Sequence, residues 1–435
     1  MRTKLSFEVA NIFVFKEQLL NWSQQYHETV WLDSNSHTES YSSFDAILAV
    51  DALTVLQTDT ENAFENLKEY QSETKDWIFG YLTYDLKNDV EVLSSTNYDG
   101  LNFPELFFFQ PKKIIRVKGN QVEFIYLNMV NDEIEGDFIT IENHTSNYIE
   151  SDLVTHDIRI KMRIFKDEYF RGAEEMLKRI HRGDIYEANF CQEFYAERTV
   201  IDPLRTYENL NAISNAPFST FLKLDDKYLM CTSPERYLRK QGNKIISQPI
   251  KGTAKRSSNV IEDEELKDAL KTNPKERSEN IMIVDLVRND LSKSALKGSV
   301  KVEELCEIYS YEQVHQMVST VASQVSENKN PVEIIKETFP MGSMTGAPKV
   351  SAMQIIEEIE SFKRGLYSGA VGYFTPDNDF DFNVVIRSIL YNQSNKYVSY
   401  AVGSALTSKA SPEFEYEECL LKAKAMREVL ESSNS

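Results

Sequence analysis

Two glutamate pairs in this chain share one spacing. Glu276 and Glu279 follow Pro274, and Glu415 and Glu418 lie near the C-terminal end, with Lys422 four residues beyond Glu418. A proline suits the first position of a helix, and an i,i+3 separation puts both carboxylates on one helical face. Two such helices facing across a pocket would present hard oxygen ligands to Mg²⁺, which takes few carboxylates and leaves room for waters and an anionic substrate. In a chain with 68 acidic residues, the same spacing is also what a solvated helix face presents. Lys251 stands in Pro249-Ile250-Lys251-Gly252-Thr253, at the end of an apolar run. As a nucleophile it would have to be neutral, its pKa lowered from about 10.4 by about three units, or ~4 kcal/mol at about 1.36 kcal/mol per unit. That demands a shielded or cation-flanked site; the alternative is a surface charge at a turn.

The loop FPMGSMTGAPK (339–349) places Thr345 and Pro348 where an N-cap and a first-turn proline would open the next helix. An exposed helix N-terminus there would bind a carboxylate or phosphate, and the loop is not a P-loop, because GxxxxGK[ST] does not match. Taken singly, Glu235 in CTSPER, His315 in VHQMVS and Arg387 in FNVVIRSIL read as a cap, a satisfied core histidine and a strand-edge charge.

The elements that must position these residues follow from periodicity. Phe170, Ala173, Leu177 and Ile180 recur at helical spacing, with Gly183 as the stop. In IYEANFCQEF the residues alternate, putting Tyr186, Ala188 and Phe190 on one face of a strand and Glu187, Asn189 and Cys191 on the other. Further strands are predicted at KYLMCTS, KIISQPI, DFNVVIRSIL and KYVSYAVG, the last two forming a hairpin over Asn392–Asn395. Helices are predicted at 274–288, 331–338, 348–363 and 413–430. Residues 1–150 mix aromatic and β-branched runs with polar turns and read as a sheet-rich domain, leaving 151–435 as a larger second domain. Strands and helices interleave without regular βαβ spacing, so the predicted class is α+β, with largely antiparallel sheets and helices packed outside.

The 435 residues are 41% hydrophobic and 27% charged, which excludes disorder and low-complexity fibres. With 48 Lys+Arg against 68 Asp+Glu the formal net charge is −20, a surface that repels nucleic-acid phosphates and anionic lipid. Cys191, Cys231, Cys306 and Cys419 form no CxxC pair, so no disulfide framework or zinc cluster is expected. With no signal h-region and no ~20-residue apolar run, the expectation is a cytoplasmic protein without membrane segments.

Nine segments then read in order: GDIYEANFCQEF (183–194), SPER (233–236), PIKGT (249–253), ERSENIMIVDLVRNDL (276–291), VHQMVSTV (314–321), FPMGSMTGAPK (339–349), RGLYSGAVGY (364–373), NVVIRS (383–388) and PEFEYEECLLKAKA (412–425). This set resembles the chorismate-utilising enzymes, which include the large subunits of anthranilate and aminodeoxychorismate synthase and the isochorismate and salicylate synthases. The stretch 30–56 is similar to the opening domain of the two aminating subunits. Lys251 matches the lysine of PIKGT in the aminodeoxychorismate branch, where anthranilate synthases have alanine. The water-using branches carry a lysine base where this chain has Glu187, and the aminodeoxychorismate branch usually has glutamine there.

The resemblance implies an anthranilate-synthase-like fold and Mg²⁺-dependent amination of chorismate at C4, in para-aminobenzoate and folate synthesis. It implies Lys251 as nucleophile, Glu235 as general acid and His315 beside the ring. Gly252, Thr253, Ser343, Tyr367, Arg387, Gly403 and Lys422 would contact substrate, and Glu279 and Glu418, with Glu276 and Glu415 behind them, would hold the metal. The run Gly403-Ser404-Ala405-Leu406 departs from a usually glycine-richer loop. No glutaminase signature appears, so ammonia is expected from a separate glutamine amidotransferase subunit, and release of pyruvate to give para-aminobenzoate is expected to need another enzyme. The rivals are anthranilate synthase component I and a non-catalytic chorismate- or amino-acid-binding regulatory subunit.

Overall fold

A period-two burial pattern organises the chain into a two-faced sheet. In the strand Ala46–Thr58, Ile47 and Ala49 enter one apolar core, while Ala46, Leu48 and Val50 enter another. In Glu187–Glu197, Cys191 faces the first core, and Ala188, Phe190, Phe194 and Ala196 face the second. The alternation predicted for this strand is therefore present, and it puts Glu187, Asn189 and Cys191 on the same side. The computed structural model describes residues 1–37, 41–144, 158–311 and 314–432. The domain boundary expected near residue 150 lies outside the described residues.

The named strands pair antiparallel throughout, in two runs. The first is Arg2–Glu8, Gln121–Leu127, Leu106–Lys118, Ala46–Thr58, Glu28–Asp33, Phe218–Leu224, Lys227–Ser233, Ser388–Asn392, Tyr397–Thr407 and Glu187–Glu197. The second leaves Leu106–Lys118 through Ile78–Leu82 and continues as Ala370–Phe374, Phe380–Val384, Arg236–Gln241, Lys244–Gln248 and Val314–Gln324. Ile250–Lys255 and Lys301–Ser310 flank its far end. Both runs feed one core rich in aromatic rings, including Phe79, Phe107, Phe108, Phe374 and Phe382. The other face of the first run is covered by helices Ile12–Trp22, Lys166–Arg182, Pro203–Ser214 and Pro412–Ser432. This is the expected α+β architecture with helices outside. Among the described residues no helix is long and apolar enough to cross a membrane.

The helices fall where expected, with adjusted ends: Pro274–Ser292, Pro331–Thr338, Lys349–Ile359 and Pro412–Ser432. Asn273 caps the first, its side chain accepting from the backbone N–H groups of Lys275 and Glu276, and Pro274 takes the first helical position. Lys166–Arg182 ends at Gly183, whose φ of +90° is the left-handed stop.

Two local readings are corrected. The run DFNVVIRSIL is two strands, Phe380–Val384 in the second run and Ser388–Asn392 in the first, joined by a corner at which Arg387 has φ +52°. Its continuous apolar character reflects burial on both sides of that corner. Thr345 is not an N-cap: Pro348 holds that position, and the Thr345 hydroxyl donates to the carbonyls of Met341 and Gly342 at 3.3 and 3.2 Å. Gly346 and Ala347 pair with Ala188 and Glu187 instead of opening the helix.

The second run leaves the first at Ile78–Leu82, where Gly80 stands opposite Phe108 of Leu106–Lys118. A Cβ on Gly80 would lie 1.9 Å from the Phe107 carbonyl oxygen, a backbone atom that cannot rotate away. Gly80→Ala is expected to cost about 1–3 kcal/mol, as overpacking does, read as a lower denaturation midpoint in urea with an unchanged slope.

Candidate active site

The chain turns three corners at one end of the core, and each presents a polar side chain. Between Lys227–Ser233 and Arg236–Gln241 it passes from the first run to the second, with Glu235 at the turn; between Phe380–Val384 and Ser388–Asn392 it returns, with Arg387 at the turn. The corners are bonded to each other: Val384 N–H donates to the Glu235 carbonyl and Thr232 N–H to the Arg387 carbonyl, both at 3.1 Å. Ser368 N–H donates to the Val385 carbonyl at 2.9 Å, which brings in the turn carrying Tyr367.

Lys251 lies on Ile250–Lys255, where the pairing with Val314–Gln324 shifts register between Ile250 and Thr253. The next residue, Gly252, has φ +93°, and a Cβ there would meet Glu276 Oε2 at 3.0 Å. Glycine is thus required both by the backbone and by the approach of the helix. The Lys251 side chain is 16% exposed, and its ammonium stands 3.7 Å from Glu187 Oε1. Burial works to lower its pKa, but Glu187, Glu279, Glu418 and Glu235 together hold it above the ordinary lysine value. Glu235 is fully enclosed, and burial pushes its carboxyl up to about 7 despite the neighbouring Ser343 and Lys251. Burial also raises Glu187, with Lys251 opposing.

The two glutamate pairs face each other as the spacing predicts. Glu276 and Glu279 project from Pro274–Ser292, and Glu415 and Glu418 from Pro412–Ser432. Lys275 Nζ sits between them, 3.2 Å from Glu415 and 3.7 Å from Glu279, while Lys422 Nζ is 2.6 Å from Glu418 and donates to the Gly403 carbonyl at 3.0 Å. Burial pushes Glu279 up to about 7, with Glu276 and Glu415 adding to it against Lys251 and Lys275. Burial alone would raise Glu418, but Lys422, Lys251 and Lys275 bring it below the usual carboxylate value. Ser404, the departure beside Gly403, donates its hydroxyl to Glu415. Among the described residues no three His, Cys, Asp or Glu side chains stand close enough to hold a metal ion as they lie.

Opposite, Tyr367 is buried with its hydroxyl 3.8 Å from Cys191 Sγ. The Arg387 guanidinium faces Tyr367 and Glu418 and makes no hydrogen bond to a described residue; burial lowers its pKa. An unpaired, partly buried guanidinium is a ready receptor for a carboxylate.

The family model for chorismate binding enzymes matches residues 22–428. The chain belongs to the chorismate-binding enzymes. It is 35% identical over 388 residues to the probable chloroplastic aminodeoxychorismate synthase of Oryza sativa subsp. japonica, covering 81% of this chain and 43% of that protein. It is 33% identical over 389 residues to aminodeoxychorismate synthase component 1 of Bacillus subtilis (strain 168), covering 87% of this chain and 80% of that one. The crystal structure of anthranilate synthase component I from Streptococcus pneumoniae TIGR4 superimposes with a TM-score of 0.76 at 24% identity, over 90% of this chain and 94% of that chain. The chain thus spans less than half the length of the rice relative.

In this chorismate-binding enzyme, Lys251, Glu235, Glu276, Glu279, Glu415, Glu418, Lys422, Gly252, Gly403, Ser343, Tyr367 and Arg387 are linked as neighbours in one connected cluster. Two residues stand apart from that charge cluster. His315 is buried with both ring nitrogens engaged, Nε2 with Asp263 at 3.1 Å and Nδ1 with the Ser310 hydroxyl at 2.8 Å, and Thr253 is exposed opposite Gln316. Two contributors, Lys275 and Lys349, were not picked out from sequence, while Glu187 was noted there as a departure from the family. Lys275 bridges the helices, Glu187 faces Lys251, and Lys349 pins the 339–349 loop by donating to Asp290 at 2.6 Å and to the carbonyls of Thr338 and Pro340 at 2.9 and 2.8 Å. Lys275 and Lys349 carried a signal, being the cations next to Glu276 and at the end of the loop.

Lys349→Met would leave the buried Asp290 with only the half-exposed Lys293 as counter-ion, and would strip a donor from three acceptors, Asp290 Oδ2 and the carbonyls of Thr338 and Pro340. It is expected to cost about 3–5 kcal/mol, measured by denaturant unfolding, and to raise backbone exchange across 339–348.

Proposed function

We propose that the chain catalyses the amination of chorismate at C4 to 4-amino-4-deoxychorismate, with ammonia delivered by a separate glutamine amidotransferase subunit, in the para-aminobenzoate branch of folate synthesis. The observation that carries this reading is the pairing of Lys251 and Glu235 in one pocket: a lysine among carboxylates beside a carboxyl that keeps its proton near neutrality. Lys251 gives up a proton, for which Glu187 at 3.7 Å is the nearest acceptor, and attacks C2 of the ring. Both ring double bonds shift and the C4 hydroxyl departs as water with the Glu235 proton. Ammonia then adds at C4 and returns a proton to Glu235, the electron shift reverses, and Lys251 leaves as an amine that takes its proton back from Glu187. The overall exchange is hydroxyl for amine with release of water.

Chorismate is a dianion, so it needs positive charge within an acidic protein. Arg387 and Tyr367 suit the enolpyruvyl carboxylate, the guanidinium offering two parallel donors. For the ring carboxylate, the donor chemistry of the facing glutamates fits Mg²⁺: Glu279 and Glu415, one from each helix, already share a cation, the Lys275 ammonium, and burial beside Glu276 and Glu415 pushes Glu279 up to about 7. Glu279 and Glu418 would hold the ion, with Glu276 and Glu415 behind them, and when bound it supplies a cationic grip on that carboxylate.

With chorismate, Mg²⁺ and ammonium, the purified chain is expected to give a product that retains the enolpyruvyl group and carries an amine in place of a hydroxyl, identified by liquid chromatography and mass spectrometry. Anthranilate with free pyruvate would sink the reading. Lys251→Ala should abolish turnover, and Glu235→Gln should lower kcat by about 10²–10⁴-fold, the worth of a positioned acid.

Because Glu235 is the proton donor and burial has raised it to about 7, it is loaded below that pH and empty above. The rate is therefore expected to fall as pH rises through about 7. Glu187→Gln removes one of the charges holding the Lys251 proton, so the limb of kcat/KM that reports lysine deprotonation should move to lower pH. A limb that stays in place would mean that Glu187 does not set the lysine charge.

A further inference from the structure

Along the strand Glu187–Glu197, one edge is fully paired with Tyr397–Thr407. The other is paired with Gly346–Ala347 at its start and with Lys161–Met162 near its end. Between these, the Asn189 carbonyl and the Cys191 N–H face a gap. A buried backbone group left without a partner costs as much as a lost hydrogen bond, so something must fill it.

The gap is filled by side chains. Arg364 Nη2 donates to the Asn189 carbonyl at 2.8 Å, and Cys191 N–H donates to Glu360 Oε1 at 2.8 Å. The two side chains are forked together, Nε to Glu360 Oε2 at 2.8 Å and Nη2 to Oε1 at 2.6 Å, and both are 1% exposed. The remaining arm, Nη1, donates to the Met344 carbonyl at 2.6 Å, and the Tyr84 ring lies 4.6 Å beneath the guanidinium carbon. One planar group therefore joins the strand that carries Glu187, the loop that carries Ser343 and the turn that leads to Tyr367.

Stability alone does not call for this arrangement. A buried ion pair gains little over apolar residues of the same volume, because two desolvated charges offset most of their attraction. What apolar side chains cannot do is bond three backbone groups from separate segments at fixed angles.

We propose that Arg364, with Glu360 as its counter-ion, is a positioning residue of the active site: it sets the strand at Asn189–Cys191 and the loop at Met344 relative to each other, and so places Glu187 against Lys251 and Ser343 against Glu235. The proposal rests on the reading that chorismate is turned over in this pocket. Arg364→Lys keeps the charge and loses the fork; Glu360→Gln keeps an acceptor for the Cys191 N–H and loses the charge. Both are compared with the unaltered chain in chorismate turnover, thermal unfolding and deuterium exchange of the 187–193 segment.

In Arg364→Lys, kcat is expected to fall by about 10²-fold, the scale of a displacement of about 1 Å. KM for chorismate should stay within about threefold, with faster exchange confined to 187–193 and 341–346. Glu360→Gln should show the same pattern, and it carries the test if the lysine variant does not fold. Either variant folding with unchanged kcat and unchanged exchange at 187–193 overturns the proposal. So does a loss of rate that only tracks the unfolded fraction. If the unaltered chain converts no chorismate, the functional reading fails, and the exchange at 187–193 alone still decides whether Arg364 holds the strand.

Discussion

The rest of the structure depends on a charge balance. Glu187, Glu235, Glu279 and Glu418 enclose the Lys251 ammonium, and neither sign would be tolerable there without the other. Two unit charges about 4 Å apart attract by about 4 kcal/mol at an effective dielectric near 20, while stripping one partner from a buried pair costs about 3–5 kcal/mol. The cluster reaches beyond this ring to Glu276 and Glu415 and to Lys275 and Lys422, so glutamates outnumber lysines. Part of the surplus is relieved by protons: Glu235 and Glu279 both sit near 7. A pocket with this surplus favours cations, and it takes a dianion only where cationic groups are set apart for it. Arg387 is such a group, facing Tyr367 and Glu418 and making no hydrogen bond to a described residue.

The balance holds only if the groups keep their places, and the sheet architecture explains how they do. Side chains in the body of a strand are committed to one core or the other by period-two alternation. A chain that switches from one run of strands to the other breaks that alternation at the corner, and the corner residue points into neither core. Glu235 and Arg387 both occupy such positions, and the carbonyls of both accept hydrogen bonds from the neighbouring corner. Lys251 reaches the same space by a different irregularity, the register shift before Thr253, helped by the left-handed Gly252. The functional groups meet where the regular pattern fails, because only there are side chains free to converge.

This also governs what the sequence could reveal. The glutamate pairs were legible because Pro274, Asn273 and the i,i+3 spacing are local signals, and the helices form as that spacing requires. The alternation of Glu187, Asn189 and Cys191 was legible for the same reason. Arg387 was misread as a strand-edge charge, since a corner between two buried strands has the same apolar flanks as one long strand, and only tertiary pairing reveals the break. Thr345 had the composition of a cap, but the segment after it is claimed by strand pairing with Glu187 and Ala188. His315, read singly as a satisfied core histidine, is one, tied to Asp263 and Ser310, and it was the family resemblance that placed it beside the ring. Glu360 fell inside the helix predicted over 348–363, with Arg364 just beyond it. The helix stops at Ile359, Glu360 is extended at ψ 148°, and the pair is turned into the core.

Each departure from regular structure leaves backbone groups without ladder partners, and these are taken up by long polar side chains. Lys349 covers the carbonyls of Thr338 and Pro340, Lys422 that of Gly403, and Arg364 those of Asn189 and Met344, while Glu360 accepts from Cys191. These ammonium and guanidinium groups reach across several ångströms to backbone that no strand can approach, and each is neutralised by a carboxylate: Asp290, Glu418 and Glu360. An apolar substitute could fill the volume but would leave buried carbonyls unpaired, at about 1–3 kcal/mol each. The charged residues around the pocket therefore fall into two populations with opposite requirements. One is saturated with bonds and holds the frame; the other, of which Arg387 is the example, makes no hydrogen bond to a described residue, so that something else can supply one. The first population is what allows the second to stay undersatisfied in a buried pocket without the chain closing around it.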